Sequence, residues 1–141
     1  MSIDAYIFYS DGKCAEAFKR YQEIFGGELT IMPMKDVPEG QRMPGSTDDT
    51  VMHAALTFDD TLLMGSDDTT GDGGPRLGIA LSYTAADLAT ADTVFAALAD
   101  GGEIQMPLGP TFWSEGFGMC LDRYGVPWIV DTAQSSDGPG A

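Results

Sequence analysis

The sequence predicts an α+β fold built from two tandem βαβββ modules, because one pattern of elements occurs in it twice. The stretch GGELTIMP at Gly26–Pro33 returns as GGEIQMP at Gly101–Pro107. An apolar strand pattern and an amphipathic helical pattern precede each copy, and two further strand-like runs follow it. We expect residues 1–68 and 76–132 to form the modules, with a linker at 69–75 and a disordered tail at 133–141. The eight strands would form a curved, open barrel around a cavity.

In the first module, Ile3–Tyr9 is apolar and aromatic throughout, which predicts a strand covered on both faces. A helix is predicted at Lys13–Phe25, with Ser10 or Asp11 as its cap and a glycine pair at its end. The Pro- and Gly-rich segment at 36–49 predicts either a mobile connection or a lid. The remaining predicted strands are Glu28–Met34, Val51–Phe58 and Thr61–Ser66.

The second module repeats this order. Thr84 and Asp87 suggest a capping box for its helix. The apolar residues at helical spacing, which predict its buried stripe, are Leu88, Ala91, Val94, Phe95 and Leu98. The predicted strands are Arg76–Tyr83, Glu103–Leu108, Thr111–Leu121 with an interruption near Ser114–Gly116, and Val126–Asp131.

Composition limits the classes of partner. The 141 residues are 43% hydrophobic and carry a formal net charge of −15. This charge argues against nucleic acid and against anionic membrane surfaces, and it favours cationic ligands by long-range steering. The alternative reading of the charge is a well-solvated surface. Without a membrane-length apolar run, a leader pattern or a cysteine motif around Cys14 or Cys120, we expect a cytoplasmic protein with reduced thiols.

Several stretches carry a resemblance to a known family. They are AYIFYSDGKCAEAFKRYQEIFGGEL, VMHAALTF, TLLMGSDD, MPLGPTFW and FGMCLDRYGVPW, and they follow one another along nearly the whole chain. In them the sequence resembles the vicinal-oxygen-chelate superfamily, which includes glyoxalase I, extradiol dioxygenases, fosfomycin-modifying enzymes and bleomycin-binding resistance proteins. Within it, the resemblance is to the PhnB-like branch, once labelled demethylubiquinone-methyltransferase-like. The chain lacks the glycine-rich strand–loop–helix pattern of dinucleotide-type folds, so the sequence itself does not support the methyltransferase label.

The resemblance also implies where a metal would bind. The metal enzymes of the superfamily place His, Gln or Glu ligands on the first and fourth strands of each module. The matching positions in this chain are Tyr6, Met64, Gly78 and Ile129. Because these side chains are poor ligands for a divalent metal, we expect no metal at these positions and no other cofactor. The alternative is a divalent metal at a non-standard site.

Strand alternation predicts a mostly apolar cavity of the kind that binds small molecules. His53 joins it from the third strand of the first module. The other residues on the predicted cavity faces are Tyr6, Phe8, Leu62, Met64, Ser66, Gly78, Ala80, Ser82, Ile129 and Asp131.

His53 has two readings of equal weight. As the only histidine, it is either a catalytic acid–base or ligand-contacting group, or a structural residue bonded to a neighbouring strand or loop. Asp67, Asp68 and Asp131 end strands near the predicted mouth. Each of them would hold a cation or a basic ligand, although solvated loop acids are the simpler interpretation.

Aromatic and thiol groups complete the candidate site. Phe112 and Trp113 are expected to cover the cavity or stack on a planar ligand, or else to be buried in a dimer interface. Trp128 is expected to pack under the second helix. Cys120 is expected to face the cavity as an unreactive thiol, because no basic residue neighbours it in the sequence.

Two functions from different classes follow. The first is a metal-independent small-molecule-binding protein of the bleomycin-resistance type, for a cationic or aromatic ligand. The second is an enzyme, either lyase- or isomerase-like or metal-dependent, that uses His53 with a polar partner such as Ser66 or Asp131. In either case the resemblance and the open sheet edges lead us to expect a homodimer.

Overall fold

The structure of the protein is a computed structural model that describes residues 1–71 and 73–133. These residues form eight strands and two α-helices, and the chain divides into two units, Met1–Gly74 and a second that begins at Pro75. Each unit contains one helix and one open four-stranded sheet. This confirms the predicted α+β fold of two tandem βαβββ modules. The predicted tail beyond residue 133 lies outside the described residues.

The first unit contains one sheet in which strand order does not follow chain order. Its elements are β1 (Ala5–Tyr9), α1 (Cys14–Phe25), β2 (Glu28–Pro33), β3 (Val51–Phe58) and β4 (Thr61–Asp67). The sheet order is β1-β4-β3-β2, with β1 parallel to β4 and the other pairs antiparallel. The parallel pair places the first strand of the module directly beside its fourth.

The second unit has the same topology. Its elements are β5 (Leu81–Ala85), α2 (Leu88–Ala99), β6 (Glu103–Gly109), β7 (Phe117–Leu121) and β8 (Pro127–Thr132). The sheet order is β5-β8-β7-β6, and β5 runs parallel to β8. The sequence repeat therefore corresponds to a repeated fold.

Each helix covers one face of its own sheet through a phenylalanine that lies over a glycine. A Cβ added to Gly65 on β4 would lie 2.8 Å from the ring of Phe18 on α1. A Cβ added to Gly118 on β7 would lie 2.8 Å from the ring of Phe95 on α2. Because strand side chains alternate between faces, this contact identifies the helix-covered face of each sheet and leaves the opposite face for other contacts.

The repeated glycine pairs have a packing cause. Gly26 and Gly101 adopt positive φ angles of 75° and 78° where the chain leaves each helix. A Cβ on Gly27 would overlap the carbonyl oxygen of Thr57, and a Cβ on Gly102 would overlap that of Leu121. The second glycine of each pair is thus required because two backbone segments meet there without room for a side chain.

The start of α1 differs from the prediction. Neither Ser10 nor Asp11 caps it; instead the Oδ1 atom of Asp67 accepts a hydrogen bond of 2.9 Å from the backbone N–H of Cys14. The Oδ2 atom of Asp67 accepts a second one, of 2.8 Å, from Val51. A backbone N–H at the start of α1 is therefore satisfied by a residue 53 positions away in the sequence, not by a local cap residue.

The predicted capping box of α2 is also wrong. Asp87 is the N-cap residue, and its carboxylate accepts a hydrogen bond of 2.7 Å from the backbone N–H of Thr90. That bond lowers the pKa of Asp87. Thr84 belongs to β5 and takes no part in the cap.

Two strand boundaries in the second module were placed too early. The predicted strand Arg76–Tyr83 is observed as Leu81–Ala85, because the chain makes a turn first and Gly78 has a φ of 95°. The predicted strand Thr111–Leu121 is observed only as Phe117–Leu121. These corrections place Gly78 before β5 and Phe112 before β7, so neither candidate site residue belongs to a strand.

The segment between β2 and β3 is turn-rich and partly packed. It contains 3₁₀ turns at Met34–Asp36 and Glu39–Gln41. The guanidinium of Arg42 donates hydrogen bonds of 2.8 and 3.2 Å to the carbonyls of Val37 and Lys35. Among the described residues, no helix is long and apolar enough to cross a membrane.

Candidate functional site

The face of the first sheet opposite α1 collects Leu62, which pairs with Thr57, and five more of the predicted site residues. Tyr6 pairs with Met64, and Phe8 pairs with Ser66, across the parallel β1–β4 ladder. On β3, Ala55 pairs with Met64, so His53, two positions earlier, lies on the same face. We call this set the aromatic face: Tyr6, Phe8, His53, Met64 and Ser66.

Tyr6 links the aromatic face together. Its hydroxyl lies 3.1 Å from the Nδ1 atom of His53, within hydrogen-bond distance. The ring centroid of Tyr6 is 5.2 Å from that of Phe8 and 5.6 Å from that of His53, both in tilted geometry. Tyr6 and Phe8 remain 37% and 55% exposed, so the prediction of a first strand covered on both faces is wrong.

The hydrogen bond to Tyr6 orients the imidazole of His53 and leaves its other ring nitrogen for a ligand. When the Tyr6 hydroxyl donates to Nδ1, the other ring nitrogen of His53 carries the proton and donates to a ligand. When Nδ1–H donates to the Tyr6 oxygen, the other nitrogen accepts instead. In both tautomers the ring is oriented by Tyr6, and one nitrogen is left for a further contact.

Two residues of this face were missed from the sequence. Met32 on β2 pairs with His53, and Thr30 pairs with Ala55, so both extend the face to the sheet edge. Met32 is 47% exposed. The β2–β3 register would have revealed them, but a long segment joins these two strands and leaves their register unspecified in the sequence.

In the second sheet, the corresponding face contains Ser82, Ile129 and Asp131. Ser82 pairs with Ile129 as Tyr6 pairs with Met64. Ser82, rather than Gly78, is therefore the counterpart of Tyr6. Gly78 and Ala80 precede β5 and do not belong to the sheet face, which corrects the prediction for both.

Phe112 and Trp113 lie in the loop between β6 and β7, not at the start of a strand. Phe112 is 88% exposed, and its ring centroid is 4.7 Å from that of Trp113. Trp113 in turn packs edge-on against Phe117, with the centroids 5.3 Å apart. Phe117 was missed because the strand was expected to begin at Thr111, with only an interruption near Ser114–Gly116, and it begins at Phe117.

The three acids predicted near the mouth differ from one another, and none of them is simply a solvated linker residue. Asp67 is only 4% exposed and holds the start of α1, as described above. Asp68 accepts hydrogen bonds of 2.9 and 2.8 Å from the backbone N–H and hydroxyl of Thr70. Asp131 is a half-buried strand residue of β8.

Cys120 faces the helix, not the candidate site. It lies on the same side of β7 as Gly118, which contacts Phe95 of α2, and it is 0% exposed. Burial, with a smaller contribution from Asp122, raises the pKa of its thiol to about 11. Trp128 is buried on that helix-covered face as predicted, and its Nε1 atom donates a 2.9 Å hydrogen bond to Asp122.

The residues at the superfamily's metal positions do not fit a divalent metal. The paired side chains are a phenol and a thioether in the first module, Tyr6 and Met64, and a hydroxyl and an alkyl group in the second, Ser82 and Ile129. Across residues 1–71 and 73–133, no three His, Cys, Asp or Glu side chains form a group able to hold a metal ion. We therefore derive no chemistry through a metal.

Comparisons with known proteins agree with this fold. Residues 2–131 match the sequence model of a family described as 3-demethylubiquinone-9 3-methyltransferase. Protein YjdN of Escherichia coli K12 is 27% identical over 146 residues, which cover 95% of this chain and 97% of YjdN. The crystal structure of PA1353 from Pseudomonas aeruginosa is 39% identical, with a TM-score of 0.85 and coverage of 96% of this chain and 99% of that one.

Two further structures connect the chain to named groups. The PhnB protein from Bacillus cereus is 28% identical with a TM-score of 0.75, covering 94% of this chain and 100% of its own. A glyoxylase/bleomycin resistance protein/dioxygenase domain from Frankia sp. EAN1pec is 13% identical with a TM-score of 0.61, and covers 95% and 99%. That second likeness concerns the fold alone. The chain therefore belongs to the family whose model is described as 3-demethylubiquinone-9 3-methyltransferase, to which the PhnB protein is similar, and its fold is that of the glyoxalase/bleomycin resistance/dioxygenase proteins.

Proposed function

We propose that the protein is a metal-independent small-molecule-binding protein of the bleomycin-resistance type, whose aromatic face binds a planar part of the ligand. The observation that carries the proposal is the 3.1 Å contact between the Tyr6 hydroxyl and Nδ1 of His53, beside the exposed ring of Phe8. It combines apolar ring surface with one oriented polar group. Small-molecule sites typically have this composition.

The physical basis is stacking plus one directed hydrogen bond. A planar ligand ring on Tyr6 or Phe8 gains apolar burial and an aromatic contact worth about 0.5–1.5 kcal/mol. The free nitrogen of His53 then donates to, or accepts from, a polar group on that ring. Because Tyr6 already orients the imidazole, less conformational freedom is lost on binding.

Metal independence is supported by the side chains at the family's ligand positions. Tyr6 and Met64 face each other in the first module and offer no imidazole or carboxylate. His53, on the neighbouring strand, already uses Nδ1 for Tyr6. The proposal therefore assigns ligand recognition to ring surface and hydrogen bonds.

One observation favours a second candidate, an enzyme of the lyase or isomerase type. Hydrogen bonding to Tyr6 orients the imidazole of His53, as an acid–base group requires. Ser66 lies on the same sheet face and is the polar partner that this candidate would use. An oriented histidine serves ligand binding equally well, so the orientation does not by itself require a reaction. Binding without a reaction therefore stays the first proposal.

We also propose that the protein acts in the cytoplasm as a homodimer. Both cysteines, Cys14 and Cys120, are free thiols, which suits a reducing compartment.

The outer strands β2 and β6 each pair on one side only in their sheets, and their exposed apolar residues include Met32, Ile104 and Met106. Edges of this kind are commonly covered by a second chain.

Binding of 2-naphthol tests the main proposal. This probe is planar and uncharged at neutral pH, and its hydroxyl both donates and accepts, so it suits either tautomer of His53. We expect saturable binding with a dissociation constant of about 1 mM or tighter. Phe8→Ala should weaken it about three- to tenfold through the lost ring contact. Ile79→Ala, at an apolar residue that is 76% exposed, is the control and should leave it unchanged.

The same titration after dialysis against EDTA tests metal independence. We expect the dissociation constant to stay within about twofold. Loss of binding on chelation, with recovery on adding Zn²⁺ or Mn²⁺, would overturn that part of the proposal. Equal effects of Phe8→Ala and Ile79→Ala would remove the aromatic face from the site.

A further inference from the structure

Asp131 holds a buried oxygen that has no hydrogen-bond partner among the described residues. Its Oδ1 atom is shielded from solvent and makes no hydrogen bond to the described part of the chain. The residue lies on β8 between Thr84 of β5 and Phe117 of β7, both of which pair with it in register. These three side chains therefore share the sheet face opposite α2.

The two buried carboxylates in residues 1–71 and 73–133, Asp67 and Asp122, accept hydrogen bonds through both of their oxygens. Asp67 accepts two backbone hydrogen bonds, through Oδ1 and Oδ2. Asp122 accepts hydrogen bonds from the backbones of Tyr124 and Val126 and from the indole of Trp128. Buried carboxylate oxygens are costly without a donor, so among the described residues the Oδ1 atom of Asp131 is the exception.

Aromatic rings lie beside this carboxylate. Phe117, its register partner, packs edge-on against Trp113 at 5.3 Å, and Trp113 packs against Phe112 at 4.7 Å. The loop that carries Trp113 is fixed to β8, because the backbone N–H of Thr132 donates a 3.1 Å hydrogen bond to the carbonyl of Gly116. The rings are thus held next to the strand that carries Asp131.

We propose that Asp131, Phe117 and Trp113 form a binding subsite for a nitrogen-centred organic cation that bears N–H groups, such as an amidinium, guanidinium or primary ammonium group. The N–H donates to the unpartnered Oδ1, and the aromatic faces stabilise the positive charge. The formal net charge of −15 favours the approach of such a cation. This subsite depends only on residues of the second module, so it stands or falls independently of the aromatic face.

Benzamidinium and benzamide form the matched probe pair. They have the same shape, but only benzamidinium carries a positive charge. The indole N–H signals of the two tryptophans report the location by NMR, since Trp128 is engaged with Asp122 on the helix-covered face. We expect benzamidinium to shift the Trp113 signal saturably and to leave that of Trp128 in place. Benzamide should shift neither.

Asp131→Asn keeps the shape of the side chain and removes its charge. It should weaken benzamidinium binding about ten- to a hundredfold. Glu115→Gln, an exposed acid in the same loop as Trp113, removes an equal charge and should change binding less than about twofold. The melting temperature of Asp131→Asn should equal or exceed that of the parent, because the substitution removes the charge from a carboxylate of which one oxygen is buried without a donor.

Three results would overturn the subsite. One is no saturable shift of Trp113 up to about 10 mM benzamidinium, an upper range for weak specific binding. Another is equal weakening by Asp131→Asn and Glu115→Gln, since that is a general charge effect. The third is a lower melting temperature of Asp131→Asn with unchanged binding, which assigns the carboxylate a purely structural role.

Discussion

Three aspartates with similar sequence surroundings have three different environments in this protein. Asp67 accepts a hydrogen bond from the start of α1, Asp68 accepts two from Thr70, and Asp131 has one oxygen without a partner among the described residues. The sequence places all of them at strand ends and does not distinguish them. The difference arises from which backbone N–H groups the topology brings within reach, and for Asp67 one of these belongs to Val51, 16 positions earlier.

The buried thiols give a prediction about alkaline pH. Burial and Asp122 raise the pKa of Cys120 from 9.0 to about 11, and burial and Asp67 raise that of Cys14 further. The folded state therefore keeps thiol protons that the unfolded state loses, so the free energy of unfolding falls as pH rises from about 9 toward 11. Urea unfolding at pH 8 and pH 10 measures the fall.

Cys120→Ala is the matched variant for that experiment. It removes one of the two thiols, so its decrease in unfolding free energy between pH 8 and pH 10 should be smaller than that of the parent protein. An equal decrease in both proteins would show that Cys120 is not protected as its burial implies.

At the scale of elements, the repeated glycine pairs give the sharpest stability prediction. Gly27→Ala places a Cβ against the carbonyl of Thr57 at a φ of 92°, so the backbone must move. We expect a loss of about 1–3 kcal/mol of unfolding free energy, typical of overpacking. Gly40→Ala is the control, since its Cβ meets nothing within 4 Å, and it should be neutral or slightly stabilising. A neutral Gly27→Ala in urea unfolding would contradict this account of the repeat.

Most elements could be predicted because the hydrophobic periodicity and the glycines at the ends of elements indicate the same boundaries. α1 was expected at Lys13–Phe25 and is observed at Cys14–Phe25, and the second strand–helix unit follows the same rules. The failure at Gly78 occurs where an apolar run continues through a turn, whereas at Phe112 two exposed or half-buried aromatic residues of a loop were taken as the start of a strand. Hydrophobicity alone does not reveal such a turn, because the apolar residues there are exposed: Leu77 is 68% exposed and Ile79 is 76%.

The candidate site was predictable in the first module and less so in the second. Alternation along β1, β3 and β4 suffices to bring Tyr6, His53 and Met64 together. In the second module the early strand boundary moved the expected position to Gly78 instead of Ser82. The Tyr6–His53 hydrogen bond and the unpartnered oxygen of Asp131 depend on side-chain geometry, which the sequence pattern does not encode.

For the whole molecule, we predict a two-fold homodimer. One chain has a mass of 15.0 kDa, so sedimentation at micromolar concentration should show a species of twice that mass, about 30 kDa. Met106→Lys on the exposed strand β6 should shift the distribution toward the single chain if that edge is covered, and Leu77→Lys serves as the control. A single species of one chain across the concentration range would contradict the prediction.

The central claim is that His53 on the aromatic face contacts the ligand. If so, His53→Ala loses a half-buried imidazole and one hydrogen bond, a cost of about 0.5–1.5 kcal/mol in unfolding free energy. The protein should then melt within a few degrees of the parent, while 2-naphthol binds at least about threefold more weakly. If a substrate is turned over at that site, the rate should fall by about 10²–10⁴. Thr57→Ala, on the same face of β3, is the control.

The deciding measurement is the melting temperature and the 2-naphthol dissociation constant of His53→Ala, taken on one preparation. The account predicts a small change in melting temperature together with a clear loss of affinity, and no loss of affinity for Thr57→Ala. A fall of many degrees in melting temperature with unaltered affinity per folded molecule would show that His53 is a structural residue, and would contradict the proposed site.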